Sequence, residues 1–256
     1  MAELVLKKTM IFMRGMEFSN NLSQVNMNLS VDLHDRTGFG SSGRQRQAGL
    51  KDIEVSGNGF WNAGATSGFG TTDYPDPKMF NQVGSSQEVW SILPDGTSEC
   101  SPGYSFKVVA GEYSPGATIG DMLGFTFAVS GDGGSVVRGK VIGNGNFSSD
   151  KPNSTACEIG AVTSSEDAYI ALHLLDFSSS GGAGTIEVIT AAASGMAAAT
   201  TLFSVALVSS DDVRTATMYS TNQQPAGSTG FTWWQAKYTP TTTDDNADVM
   251  INAGIV

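Results

Sequence analysis

Basic residues are scarce. Fourteen Lys and Arg stand against 25 Asp and Glu in 256 residues, giving a formal net charge of −11 and a pI near 4.5. That is the wrong sign for a protein that grips a phosphate backbone, so specific nucleic-acid binding is not expected. An acidic surface keeps a use wherever DNA must pass close by without sticking. Cysteine is limited to Cys100 and Cys157, far apart in the chain, with no CxxC and no Cys/His cluster. Two such cysteines exclude a zinc-type site and a small disulfide-stapled scaffold. They could pair, although disulfides follow an oxidising compartment, and the sequence leaves the point open. No run approaches the roughly 18 apolar residues needed to cross a bilayer. The N-terminal MAELVLKKTMIFMRG is broken by Lys7 and Lys8 and has no small-residue cleavage site, so it reads as no secretion signal. The expectation is a soluble protein made in the cytoplasm, with no membrane partner.

Leu, Glu and Lys, which fill most helical proteins, are also thin, whereas Gly contributes 31 residues and Ser and Thr abound. Hydrophobic residues make up 40% and charged residues 15%, enough apolar material for a core. Strands joined by many turns follow. VNMNLSVDL, residues 25–33, places Val25, Met27, Leu29, Val31 and Leu33 on one side of a period-two pattern and predicts a half-buried strand. Further strands are predicted at 4–14, 50–61, 88–93, 104–110, 123–129, 136–142, 168–177, 185–190, 202–208, 231–238 and 248–256. Their spacing is that of a sandwich or barrel. The fold class expected is all-β, an antiparallel β-sandwich or barrel. It divides into an N-terminal β domain over 1–115 and a C-terminal β-sandwich over 116–256, with a boundary or cross-over between sheets near 111–120.

Residues 34–49, HDRTGFGSSGRQRQAG, hold four glycines and almost no aliphatic side chain, and read as a long polar loop. Long structureless connections in a compact domain are uncommon and usually functional. This one carries three of the fourteen basic residues, Arg36, Arg44 and Arg46, in an otherwise acidic chain. It is either a solvated loop that happens to be basic or an arm that packs on an acidic neighbour. The Ala-rich stretch 190–201 is interrupted by Gly195 and reads as an irregular loop rather than a helix.

Catalytic patterns are missing. The sequence has no G-x-S-x-G, P-loop, HExxH or strand-linked GxGxxG. His34 borders the basic loop, and His173, in LHL, reads as a structural histidine because no relay or ligand set surrounds it. Asp211/Asp212 and Asp244/Asp245 sit in turn-like segments, and Asp132 in SGDGGS lacks the spaced oxygens of a calcium loop. No metal or cofactor is expected, and an enzyme is the last of the readings. Of Trp233 and Trp234, on opposite faces of a strand, one belongs in the core.

The stretch HDRTGFGSSGRQRQAGLKDIEVSGNGFW following an alternating strand resembles the tail tube, or major tail, proteins of tailed bacteriophages. In that pattern a D-x-T-x-[FM]-G segment leads through a polar, basic loop to a GLKD-type turn and a strand ending in aromatic residues. Asp35, Thr37, Phe39, Gly40, Arg44, Gly49, Leu50, Lys51, Asp52, Phe60 and Trp61 carry the likeness. GFTFAVSGDGGSVVRGKVIG, YIALHLLDF, GTIEVIT and FTWWQAKYTP extend it into the second half. The chain departs from the pattern in its Ser- and Asn-rich turns and in lacking aromatic alternation in the last strand.

The resemblance implies a virion protein, synthesised in the host bacterial cytoplasm, that assembles with itself and with other phage virion proteins. Its rings would be hexameric and would stack through the long loop to form a DNA conduit. The inter-subunit contact would fall on Asp35, Arg36, Thr37, Phe39, Arg44, Arg46 and Leu50. Two other readings stand beside it. A capsid decoration protein, acting as a trimer, draws on the same composition and arm. A carbohydrate-binding module would use Trp61, Trp90 or Trp234 as a stacking platform.

Overall fold

Alternating apolar residues punctuated by Gly, Ser, Asn and Pro turns fold as strands throughout. A computed structural model describes residues 8–39, 42–62, 74–133, 136–149, 153–178, 183–208, 215–221, 230–242 and 244–256. In chain order the elements are β1 (Met10–Met13), β2 (Met16–Glu17), β3 (Leu22–Asp35), β4 (Arg46–Phe60), α1 (Pro75–Gln82), β5 (Glu88–Leu93), β6 (Pro102–Gly116), β7 (Gly124–Gly131), β8 (Val137–Phe147), β9 (Cys157–Glu158), β10 (Ala168–Ser178), β11 (Ala183–Ala191), β12 (Thr200–Val208), β13 (Thr215–Thr221), β14 (Trp233–Pro240) and β15 (Asn246–Ile255). Every strand pair whose register is described is antiparallel. The all-β class is thus as the sequence predicts.

Two compact units share the chain. The first comprises Met1–Asn20, Glu88–Lys107 and Ser135–Val256, and the second Asn21–Gln87 and Val108–Gly134. The units interleave along the sequence, and the expected boundary at 115/116 falls inside the second of them, at the end of β6.

The first unit is a two-layered β structure. One layer runs β13-β10-β15-β8-β6-β5-β1-β2 and the other β12-β11-β14-β9. β11 and β14 bury every second residue, so Ile186, Val188, Trp234, Ala236 and Tyr238 join Ile170, Leu172, Leu174, Val249 and Ile251 of β10 and β15 in one core. Such alternation is the pattern of a layer covered on one side. β15 is buried on both faces, and its Met250 packs with Phe12, Leu93 and Val141 in a second cluster. Trp234 is fully buried and donates its Nε1–H to the Gly160 carbonyl at 2.9 Å, while Trp233 is half-buried. Cys100 and Cys157 form a disulfide with Cα atoms 5.3 Å apart, closing the pairing that the sequence left open.

The second unit is the β3-β4-β7 sheet, continued by the C-terminal half of β6, with α1. Phe125, Phe127 and Val129 stand opposite Gly59, Gly57 and Val55. A Cβ at Gly57 would sit 2.8 Å from the Phe127 ring, and one at Gly59 would sit 2.9 Å from that of Phe125. The glycines of SGNGF therefore seat two aromatic rings. α1 was not expected from so proline-rich a stretch. Its prolines lie at the start, where a missing N–H costs nothing, and Asp76 favours the positive end of the helix dipole. Asp76 Oδ1 accepts from both Trp61 Nε1 (2.7 Å) and the Tyr113 hydroxyl (2.6 Å), tying the helix to β4 and β6.

Several expectations need adjustment. Of the predicted strand over 4–14, residues 4–7 lie outside the described residues and β1 covers only 10–13. The stretch 111–120 is the end of β6 and its turn toward β7. β13, with its small and polar residues, escaped the sequence reading. Residues 192–199 are turns, as expected, with Met196 and Ala198 at positive φ.

Candidate assembly surface

β3 and β4 form one long hairpin, and the polar stretch 34–49 belongs to it more than to a loop. The register continues through Leu33↔Ala48, His34↔Gln47 and Asp35↔Arg46, after a bulge near Gly49. A Cβ on Gly49 would lie 2.7 Å from the His34 Nε2, so glycine there admits the imidazole. Beyond the strands three backbone amides bond within the tip. The Arg36 N–H donates to Gln45 O at 2.8 Å, the Thr37 N–H to Asp35 Oδ1 at 2.8 Å, and the Gln45 N–H to Thr37 Oγ1 at 3.0 Å. This is the self-bonded turn chemistry of Asp and Thr. The Thr37 hydroxyl and then its amide hold the Asp35 carboxyl below the usual range.

The hairpin outruns its sheet. β7 accompanies β4 only from Phe60 to Glu54, and Glu54 faces Asn28 on β3. From Leu29 outward the two strands have no third strand beside them among the described residues, and they extend about 25 Å at roughly 3.3 Å per residue. Ile53 and Val55 stay buried, whereas Leu29 and Leu33 are each 54% exposed. The prediction of a half-buried strand over 25–33 thus holds only partway, because no described residue buries the apolar stripe past Met27. Leu50 is 83% exposed and Phe39 fully so. Arg36, Arg44 and Arg46 are exposed and form no ion pair among the described residues. The outer edge of β3 also has no strand partner among the described residues.

The seven predicted contact residues therefore lie together on one arm. Asp35 and Thr37 shape its tip, and Arg36, Phe39, Arg44, Arg46 and Leu50 are exposed on it. A second exposed cluster was missed by the sequence reading. Ile119, Met122 and Leu123 are exposed in the β6–β7 turn, where Phe60 pairs with Gly124 and the Trp61 N–H donates to the Leu123 carbonyl at 2.9 Å. Their signal was three apolar residues within the seven-residue turn 117–123.

The other candidates for chemistry are occupied or enclosed. His173 is fully buried, and burial pushes its pKa down to about 3. The Gly15 N–H donates to its Nδ1 at 3.3 Å, which leaves the proton on Nε2, 2.9 Å from Ser91 Oγ. Ser91 continues to Ser105 at 2.7 Å, which also accepts from Asn252 Nδ2 at 2.8 Å. Asp132 Oδ2 accepts from the Gln87 N–H at 2.6 Å and from its side-chain amide, and Asp245 caps a turn at the Thr242 N–H at 2.8 Å. Asp211 and Asp212 lie outside the described residues. Trp90 and Trp234 are wholly buried and unable to stack on a sugar, and the Trp61 indole is engaged by Asp76. A cleft of about 250 Å³ between β12 and β13 is lined by aliphatic and Thr side chains and Tyr219. Among the described residues no group of three His, Cys, Asp or Glu could hold a metal ion, and no helix is long and apolar enough to cross a membrane.

The fold and the arm define an all-β protein with one long hairpin that exposes both apolar and cationic groups. No family model matches the chain, and no curated protein sequence matches it. Solved structures similar to it come from phage-tail and injection-system assemblies. One is a component of the virion of the native gene transfer agent particle, at 13% identity and TM-score 0.39, covering 54% of this chain and 98% of that one. A second, from the PVC sheath-tube complex of an extracellular contractile injection system, is 12% identical with TM-score 0.39, over 53% and 92% of the two chains. A third, the Dit hub protein of phage SPP1, is 10% identical with TM-score 0.36, over 98% and 100%. Likenesses this distant equate the chain with none of them.

Proposed function

We propose that the chain is a structural subunit of a phage-type tail, specifically a tail tube subunit, and that the β3–β4 arm makes its contact with a neighbouring subunit. The carrying observation is an apolar stripe, Leu29, Val31 and Leu33, that keeps its period-two alternation where it is exposed among the described residues. Exposed apolar groups along an unpaired strand edge are a hazard unless another chain covers them. The three exposed arginines add a charge preference for an acidic neighbour, and this chain, at −11, is one. The residues from Asp35 to Trp61 that resemble tail tube proteins lie on this same hairpin. An acidic conduit also suits DNA that must slide without binding.

Negative-stain electron microscopy of the purified protein at high concentration tests the reading. Stacked rings or tubes with a central channel are expected, and Arg44→Glu with Arg46→Glu should abolish stacking. Wild-type protein that remains monomeric, or that forms threefold units binding undecorated capsids, would refute the tail tube role.

A further inference from the structure

The arm needs a receptor, and the opposite end of its own sheet has the matching chemistry. β4 spans fifteen residues, about 50 Å, from Arg46 at the arm to Phe60, which pairs with Gly124 at the start of β7. Gly116, the last residue of β6, meets the same Gly124, so the turn 117–123 closes that far end. Ile119 and Met122 there are almost wholly exposed, and Phe60 and Leu123 are partly so.

Charge is polarised along the same axis. Among the described residues of this unit the cations are Arg36, Arg44 and Arg46 at the arm tip, where Asp35 is the one acid, Lys51 further down the arm among Asp32, Asp52 and Glu54, and Lys78, which is buried. The far end carries Asp121, exposed in the turn, and Asp76 beneath Trp61, while Lys78 on the same helix as Asp76 is buried. The arm tip thus carries three arginines and an exposed Phe39, and the far turn carries Asp121 between exposed Ile119 and Met122. Surfaces that complement each other at opposite ends of one element join head to tail, and such a contact repeats without limit along its axis.

We propose that the patch formed by Ile119, Asp121, Met122 and Phe60 receives the arm tip of a second copy of this chain. The inference rests on the reading of the chain as a self-stacking subunit, and it adds the face on which stacking occurs. Arg44 and Arg46 of one copy approach Asp121 of the next, and Phe39 packs against Ile119 and Met122.

The test uses two variants of the full chain. The arm variant carries Arg44→Glu and Arg46→Glu; the patch variant carries Ile119→Ser, Asp121→Lys and Met122→Ser. All five positions are exposed, so both subunits should unfold at the wild-type denaturant midpoint. Each variant alone is expected to lose stacking in sedimentation velocity and negative stain. Mixed, they should form one contact and stop, because an intact arm on the patch variant meets an intact patch on the arm variant. A species of two layers that grows no further supports the inference. If the arm variant fails to stack while the patch variant stacks like wild type, the receptor lies elsewhere and the self-assembly reading survives. If wild-type protein does not stack, both fall together.

Discussion

His173 shows how a single residue can be read correctly in role and still hold a surprise in energetics. Its imidazole is enclosed, neutral, and tied to Gly15 and Ser91, so the folded state refuses a proton that the unfolded chain accepts near pH 6.5. Between about pH 6.5 and the folded value of about 3, the unfolded state binds more protons and stability falls as pH falls. The contribution is complete above about pH 7 and has dropped by about 2 kcal/mol at pH 5. Urea unfolding of wild type and His173→Gln at both pH values checks this. The pH-dependent loss should shrink by about that amount in the variant, and an equal loss in both proteins would refute the assignment. His173→Ala, which leaves the Gly15 amide without its acceptor, takes one of two partners from Ser91 and opens a cavity, should cost about 3 kcal/mol at pH 7.

At the scale of elements, close approach and covalent closure set the largest single costs. Gly57 and Gly59 let Phe127 and Phe125 lie across β4, and Gly57 also faces the Gln24 carbonyl, 2.5 Å from where a Cβ would stand. Gly57→Val should destabilise by about 2 kcal/mol or more through overpacking, read as a lower denaturant midpoint. The Cys100–Cys157 disulfide fastens β9 of the smaller sheet to the segment preceding β6 across a separation of 57 residues. By chain entropy a closure of that length is worth about 4 kcal/mol at most, and engineered cases often deliver less. Cys100→Ser with Cys157→Ser is therefore expected to lower unfolding free energy by about 2–4 kcal/mol while leaving strand content by circular dichroism unchanged. The arm contrasts with both, since its exposed tip contributes little to the core.

For the whole molecule, stability and assembly are expected to separate. Arg44→Glu with Arg46→Glu should shift unfolding free energy by no more than about 0.5 kcal/mol while stacking disappears. Exposed charge contacts are screened within about 8 Å at physiological ionic strength, so raising salt should weaken the contribution of the arginines to stacking. Light scattering across a salt series reads this directly; stacking that strengthens from low to moderate salt would assign the contact to the apolar stripe alone.

Local pattern determined much of this protein. Period-two alternation marked nearly every long strand, the turn residues separated them, and the run of Arg36, Arg44 and Arg46 in an acidic chain drew attention to the arm. Those signals are short-range, set by which face of a strand meets a core and by which residues tolerate a turn. The weaker elements carried no such signal: β13 is small and polar, and α1 is eight residues among prolines. Tertiary structure alone decided that Cys100 and Cys157 meet, since pairing depends on Cα atoms brought within reach by folding. It alone decided where the apolar stripe of β3 stops being covered. Alternation prescribes an apolar face, but how far the sheet continues beside it is set by β7, which accompanies β4 only as far as Glu54, opposite Asn28, so that from Leu29 outward no described strand lies beside the hairpin.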